Sequence, residues 1–238
     1  MNIILLESQS ELVFLKTEDP RAEHIRSVLR TPVGGELYVG VIDGPRGLAT
    51  LLRTDEEGLE FSVTWEDSFA PLHPVHWVIG LPRPQTARKL LQAGSILGVS
   101  SIRFFESEKG EPAYAKSKLW STDEWRRHLI LGAEQAFATT FPNIEHFETL
   151  EAALGELSEN TARVALDVYE ADGPLGATPI DAESCILAFG PERGWSPRER
   201  DTLRCNRFTI KHLGERVLRS ELAATAATAI TLAQLELL

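Results

Sequence analysis

The sequence predicts an α/β protein in which a small, β-rich barrel precedes a parallel sheet covered by helices. Three observations carry this. Residues 1–70 hold short alternating strands separated by turn clusters. Ala70-Pro71-Leu72-His73-Pro74 then brings two prolines and a change of composition, as a linker does. From Val75 onward, apolar strand-like runs alternate with amphipathic helical ones, the pattern of a parallel sheet.

Taken in order, Ala22 to Leu29 places Ala22, Ile25, Val28 and Leu29 at helical spacing and stops near Thr31-Pro32. Glu36 to Ile42 alternates and meets the turn cluster Asp43-Gly44-Pro45-Arg46-Gly47. Leu48 to Arg53 and Leu59 to Trp65 are further strands, with Asp55 to Gly58 as the turn between them. In the second half, Val75 to Leu81 and Ser101 to Phe105 are strands. Between them, Gln85 to Leu97 turns Leu90, Leu91, Ala93, Gly94 and Leu97 to one face, and Gly98 caps it. Ser121-Thr122-Asp123-Glu124 opens a helix. Arg163 to Tyr169, Cys185 to Phe189 and Arg207 to Lys211 are strands. Ser196-Pro197-Arg198-Glu199 has Ser as N-cap, Pro at the first helical position and Glu at the third. Leu218 to Leu238 is nearly free of charge, the composition of a buried or partner-facing helix.

Composition narrows the function classes. The chain has 238 residues, 43% hydrophobic and 25% charged, as ordinary globular proteins do. No apolar run reaches the ~20 residues of a membrane span. The start, Met1 to Glu7, lacks a basic n-region, so no secretory signal is expected and the cytoplasm is. Two cysteines, Cys185 and Cys205, rule out a disulfide framework, and the six histidines show no metal spacing. Net charge is −11, unlike most nucleic-acid binders. Residues 192–219 run against that trend, with 8 Lys+Arg and 4 Asp+Glu.

Two stretches carry the chemistry. Leu187-Ala188-Phe189-Gly190-Pro191-Glu192-Arg193-Gly194-Trp195-Ser196 is an apolar strand running into a glycine turn and a capped helix. Ligands bind beyond the carboxyl ends of such strands, and glycine lets them approach the backbone. It is not the dinucleotide pattern G-x-G-x-x-G. The second stretch, His212-Leu213-Gly214-Glu215-Arg216-Val217-Leu218-Arg219-Ser220-Glu221-Leu222-Ala223, leads from a strand into a helix with Arg219 and Glu221 in its first turns.

Gly190 to Ser196 resembles the motif G-P-E-G-G-F-S, and Leu213 to Ala223 resembles L-G-x-R-I-L-R-x-E-T-A. Both are signatures of the RsmE-type 16S rRNA uridine-N3 methyltransferases of the SPOUT class. His24 to Arg30, Gly35 to Val39 and Asp43-Gly44 are similar to that family's PUA-like RNA-binding domain. Glu134-Gln135 with Phe141-Pro142 is similar to a further segment. The chain departs from the pattern at Arg193 and Leu222, and lacks the arginine that usually follows Glu-Gln.

The resemblance implies a PUA-like β-barrel over residues 1–70 and a SPOUT domain over 75–238 with a C-terminal trefoil knot. It implies S-adenosyl-L-methionine on Leu187, Phe189, Gly190, Glu192, Gly194, Leu213, Gly214, Val217 and Leu218. Arg219 and Glu221 are the catalytic candidates, and Arg26 and Arg30 the RNA-binding ones. No metal is expected. The partners implied are 16S rRNA or the small ribosomal subunit, and a second copy of the chain through the knot region, with no membrane. Three functions stay open: a uridine-N3 methyltransferase, a SPOUT enzyme with another RNA target, and a non-catalytic RNA-binding or ribosome-assembly protein.

Overall fold

A computed structural model describes residues 3–66, 71–155, 160–177 and 179–238. It divides into two compact units, Met1–Pro71 with Ala133–Thr140, and Leu72–Gly132 with Phe141–Leu238. Of the expected linker, Ala70 lies outside the described residues. His73 and Pro74 are not linker but the start of a strand.

The first unit is built on β1 (Ile3–Leu6), β2 (Phe14–Lys16), α1 (Pro20–His24), β3 (Glu36–Val41), β4 (Arg46–Thr54) and β5 (Gly58–Trp65). Its sheet has the order β1-β3-β4-β5-β2. β3, β4 and β5 form an antiparallel meander, while β1 lies parallel to β3. A register shift between Leu51 and Arg53 bends β4. Among the described residues, the edge strands β1 and β2 form no ladder with each other. The sheet is therefore an open half-barrel. Ile4, Leu6, Leu37, Val39, Leu51 and Phe61 fill its concave side.

α1 starts where the sequence signals it, with Asp19 as N-cap and Pro20 at the first position. It continues as a π-helical turn, Ile25–Leu29. The wider turn changes the angular step between residues, so the expected apolar face breaks up. Ala22 and Ile25 are buried, but Val28 is 63% exposed.

The second unit contains β6 (His73–Gly80), α2 (Pro84–Ile96), β7 (Val99–Phe105), α3 (Lys118–Ser121), most of α4 (Glu124–Ala136, whose last residues from Ala133 count with the first unit), β8 (Asn143–Phe147), α5 (Leu150–Leu154), β9 (Thr161–Leu166), β10 (Ser184–Phe189), α6 (Pro197–Cys205), β11 (Thr209–Lys211) and α7 (Ser220–Gln234). Its six strands have the order β11-β9-β10-β6-β7-β8. Every neighbouring pair is parallel. A strand covered on both faces needs an unbroken apolar run, and Cys185 to Phe189 of β10 are all buried. Register aligns Leu166, Phe189 and Ile79, so β9, β10 and β6 end at one rim.

Three expected boundaries move. β9 ends at Leu166, so Asp167 to Tyr169 form part of the rim. Arg207 lies outside β11, with a left-handed φ of 63°. α7 begins at Ser220, with Arg219 as its N-cap, so Leu218 and Arg219 precede the helix. After β11 the chain runs along the loop that follows β9. Asp172 N–H donates to the Ile210 carbonyl at 2.9 Å, and His212 N–H to the Gly173 carbonyl at 3.0 Å. Among the described residues, no helix is long and apolar enough to cross a membrane.

Candidate active site

The turn after β10 is shaped by two glycines with different tasks. A Cβ on Gly190 would lie 3.1 Å from the Trp195 nitrogen and 3.2 Å from the Gly194 carbonyl carbon, so the turn closes tightly only with glycine there. Gly194 has φ +68° and faces open space, a conformation that costs an L-residue with a side chain. Its N–H donates to the Pro191 carbonyl at 2.7 Å.

The turn is anchored on both sides. Trp195 is buried, donates from Nε1 to the Leu166 carbonyl at 2.9 Å and stacks on Phe105. Ser196 and Glu199 form the predicted capping box. Glu199, also buried, further accepts from Ser107 Oγ at 2.7 Å and from the Glu108 N–H at 3.1 Å. On the other side, a Cβ on Gly80 would lie 2.6 Å from Pro191 Cδ, so glycine at the end of β6 makes room for the turn.

This turn, the loop after β9 and the start of α7 enclose a cavity of about 530 Å³. Residues 166–169, 189–195 and 217–221 line it, with Arg83, Thr86 and Ala223. The structure thus brings together Phe189, Gly190, Glu192, Gly194, Val217, Leu218, Arg219 and Glu221. Three expected cofactor residues do not line it. Leu187 sits inside β10 between Trp77 of β6 and Val164 of β9, with no exposed surface. Leu213 packs against the core. Gly214, φ +106°, is exposed and donates its N–H to His212 Nδ1 at 2.9 Å.

Electrostatics separate the two catalytic candidates. Lys89 Nζ donates to Glu221 Oε1 at 2.9 Å. Burial pushes the Glu221 carboxyl upward, but the Lys89 hydrogen bond, its own backbone N–H and the charges of Lys89 and Arg219 outweigh it and hold the group below its ordinary value. Arg219 is exposed and makes no side-chain cap. Among the described residues its guanidinium has neither a hydrogen bond nor an ion pair, whereas Glu192 accepts from the Arg83 N–H at 3.2 Å.

At the floor, Asp167 accepts from Arg200 Nε at 2.5 Å, with side chains 3% and 8% exposed. Nothing in the spacing of these two residues signals the pair. It also accounts for part of the basic strip of residues 192–219. Arg200 and Arg204 pair with Asp167, Glu170 and Asp201, and Arg198 lies near Glu108 and Glu151.

Arg26 and Arg30 belong to the first unit. Arg26 donates to the carbonyls of Asp55 at 2.7 Å and Gly58 at 3.1 Å, and to Thr17 Oγ1 at 3.2 Å. It ties the β4–β5 turn to the helix. Arg30 is exposed, left-handed at φ 53°, and donates from Nε to the Ser27 carbonyl. No group of three or more His, Cys, Asp or Glu suited to a metal occurs among the described residues.

The family model described as an RNA methyltransferase domain matches residues 70–232. The chain is 35% identical to a ribosomal RNA small subunit methyltransferase E of Treponema pallidum, over 98% of this chain and 91% of that protein. It is 24% identical to a ribosomal RNA small subunit methyltransferase E 1 of Borreliella burgdorferi, over 99% of each. The fold is similar to the crystal structure of a ribosomal RNA small subunit methyltransferase E from Neisseria gonorrhoeae bound to S-adenosyl methionine. The TM-score is 0.80 at 22% identity, covering 98% of this chain and 97% of that one.

Proposed function

This chain belongs to the RNA methyltransferase family, and from that premise we propose that it is an S-adenosylmethionine-dependent rRNA methyltransferase that acts on N3 of a uridine in 16S rRNA of the small ribosomal subunit. One observation carries the proposal. The glycine turn 190–196 and the segment 217–221, drawn from the two motifs, wall a single cavity at the carboxyl ends of β6, β9 and β10.

The residues fit the cofactor. About 530 Å³ lies within the range of small-molecule sites. Leu166, Val168, Phe189, Val217 and Leu218 offer apolar walls to an adenine. Glu192 lines the same space and suits an ammonium, while Arg83 and Arg193 suit a carboxylate. Gly194 leaves the backbone open to close approach. When bound, S-adenosylmethionine supplies the methyl group, its sulfonium becoming a thioether as the carbon–nitrogen bond forms at N3.

The chain's own task is to align the uracil and stabilise charge as the N3 proton leaves to water. Arg219 lines the cavity and, among the described residues, its guanidinium makes no hydrogen bond or ion pair, so it can meet a uracil carbonyl. Glu221, held below its ordinary pKa by Lys89, is a weak proton acceptor at neutral pH. Its role is to fix the start of α7 through Lys89.

Four finer features belong to the same proposal. Residues 1–70 act as the PUA-like RNA-binding unit and residues 75–238 as the methyltransferase unit. The chain after β11 forms a trefoil knot, which the hydrogen bonds between 172–175 and 210–212 support. The enzyme works as a homodimer in the cytoplasm. Val168, Tyr169, Val217 and Leu222, all exposed, gather at or next to the cavity, an apolar patch that a second copy would cover.

The test is mass spectrometry of 16S rRNA from a strain lacking the gene. Loss of one 3-methyluridine, restored by the purified chain with S-adenosylmethionine, is expected. Unchanged 16S rRNA methylation overturns the substrate assignment.

A further inference from the structure

A second cavity, of about 380 Å³, lies at the ends of β7 and β8. Its walls are aromatic: Phe104, Trp120, Trp125, His146 and Phe147 all line it. The His146 ring meets Trp120 edge-on at 4.2 Å and lies nearly parallel to Phe104 at 5.5 Å. His146 is exposed, so part of its imidazole is available to a partner. The Trp120 Nε1–H is enclosed and, among the described residues, has no hydrogen-bond partner, which is unusual for an indole away from water. Two carboxylates, Glu106 and Glu148, stand on the wall.

Around the cavity the chain is acidic apart from residues 116–127, which carry four cations and two acids. Lys116-Ser117-Lys118-Leu119-Trp120 and Trp125-Arg126-Arg127 interleave two tryptophans with four cations. Lys116, Lys118 and Arg127 are exposed and form no ion pair among the described residues. Rings that stack on bases, flanked by cations that follow a phosphate backbone, are what single-stranded RNA requires. Leu81 borders this cavity and Arg83 the methyl-transfer cavity, two residues along the same loop.

We propose that the aromatic cavity holds an unstacked base of the RNA substrate, one other than the base that is methylated. This rests on the rRNA methyltransferase reading. The base stacks among Trp120, His146 and Phe147, and its donor edge faces Glu106 and Glu148. Guanine matches best, because N1–H and the 2-amino group lie side by side and a carboxylate accepts both. Lys116, Lys118 and Arg127 take the adjoining phosphates. A base seated here fixes the strand so that a neighbouring uridine reaches Arg219.

The test uses the full chain and a single-stranded RNA 12-mer of mixed sequence, followed by fluorescence anisotropy and tryptophan emission. RNA binding should quench tryptophan emission. His146→Ala and Trp120→Ala should each raise the Kd about tenfold or more. Trp120→Phe should restore most of the affinity, and S-adenosylmethionine should titrate normally in all three. His146 is exposed, so its variant remains informative if Trp120→Ala fails to fold. Equal RNA affinity in His146→Ala and wild type overturns the proposal. So does a cavity that takes arginine amide, seen by quenching, while the 12-mer causes none. If the wild type bound the 12-mer but not S-adenosylmethionine, the methyltransferase reading would fail. The comparison of variants would still decide the fate of the cavity.

Discussion

Lys89 Nζ and Glu221 Oε1 are joined at 2.9 Å across 132 residues of sequence. This bond, rather than one to Arg219, occupies the carboxylate, and among the described residues Arg219, like Arg193, lines the cavity without an ion pair. Arg219→Ala should therefore lose methyl transfer by ~10²-fold, the scale of one lost charge-stabilising donor. RNA and S-adenosylmethionine affinities should hold. Single-turnover kinetics on 16S rRNA check this, and a wild-type rate would reduce Arg219 to a surface charge.

Gly194→Val should weaken S-adenosylmethionine binding by at least tenfold in calorimetry. The new side chain would project into the open space beside the turn. A left-handed φ of 68° adds strain of about 1–2 kcal/mol, so the melting midpoint should fall by only a few degrees. Unchanged affinity would place the cofactor elsewhere.

Asp167→Ala should destabilise the protein by about 3–5 kcal/mol in urea denaturation, because it leaves Arg200 charged and enclosed. Glu170, at 3.4 Å from Arg200, is too exposed to replace Asp167 fully. A loss below about 1 kcal/mol would mean that water reaches Arg200 freely.

The two N-terminal arginines should part company. Arg26→Ala removes three internal hydrogen bonds and should lower stability by about 1–3 kcal/mol. Arg30→Ala should leave stability unchanged and lower the salt dependence of RNA binding. Equal effects on RNA binding, with no change in stability, would contradict the structural role of Arg26.

Burial pushes the Cys185 thiol up to about 12, while Cys205 is exposed at the end of α6. A thiol reagent at pH 8 should therefore modify one cysteine in the folded chain and two in guanidinium. Rapid reaction of both would show that β10 opens readily.

What the sequence made legible was local. The apolar run Cys185 to Phe189 is enough to identify a buried strand, and Ser196 with Glu199 is enough to identify a capped helix. The glycine turn and the segment before α7 were visible as motifs, and their meeting in one cavity followed from strand order. What stayed hidden was non-local or irregular. β2 is only three residues long, too short for any periodic signal. The π-helical turn moves Val28 out of the core, because helical spacing assumes a constant angular step. Leu187 belongs to the motif by position, yet its neighbours Trp77 and Val164 enclose it. The Asp167–Arg200 and Lys89–Glu221 pairs join residues whose separation carries no pattern.

The strand order also sets a timetable for synthesis. β6, β7 and β8 emerge first and can pair in sequence, but the next strand against β6 is β10. Until β10 has left the ribosome, the Val75 to Ile79 edge of β6 has no neighbour. An apolar strand edge left bare in this way invites association with other chains. β10 must then be joined on its far side by β9, which was made before it, and β9 by β11, made last. Parallel pairing between strands far apart in sequence is slow. The nascent chain should accordingly depend on chaperones until residue 211, and chains cut short before β10 should accumulate as aggregates rather than as a half-formed sheet.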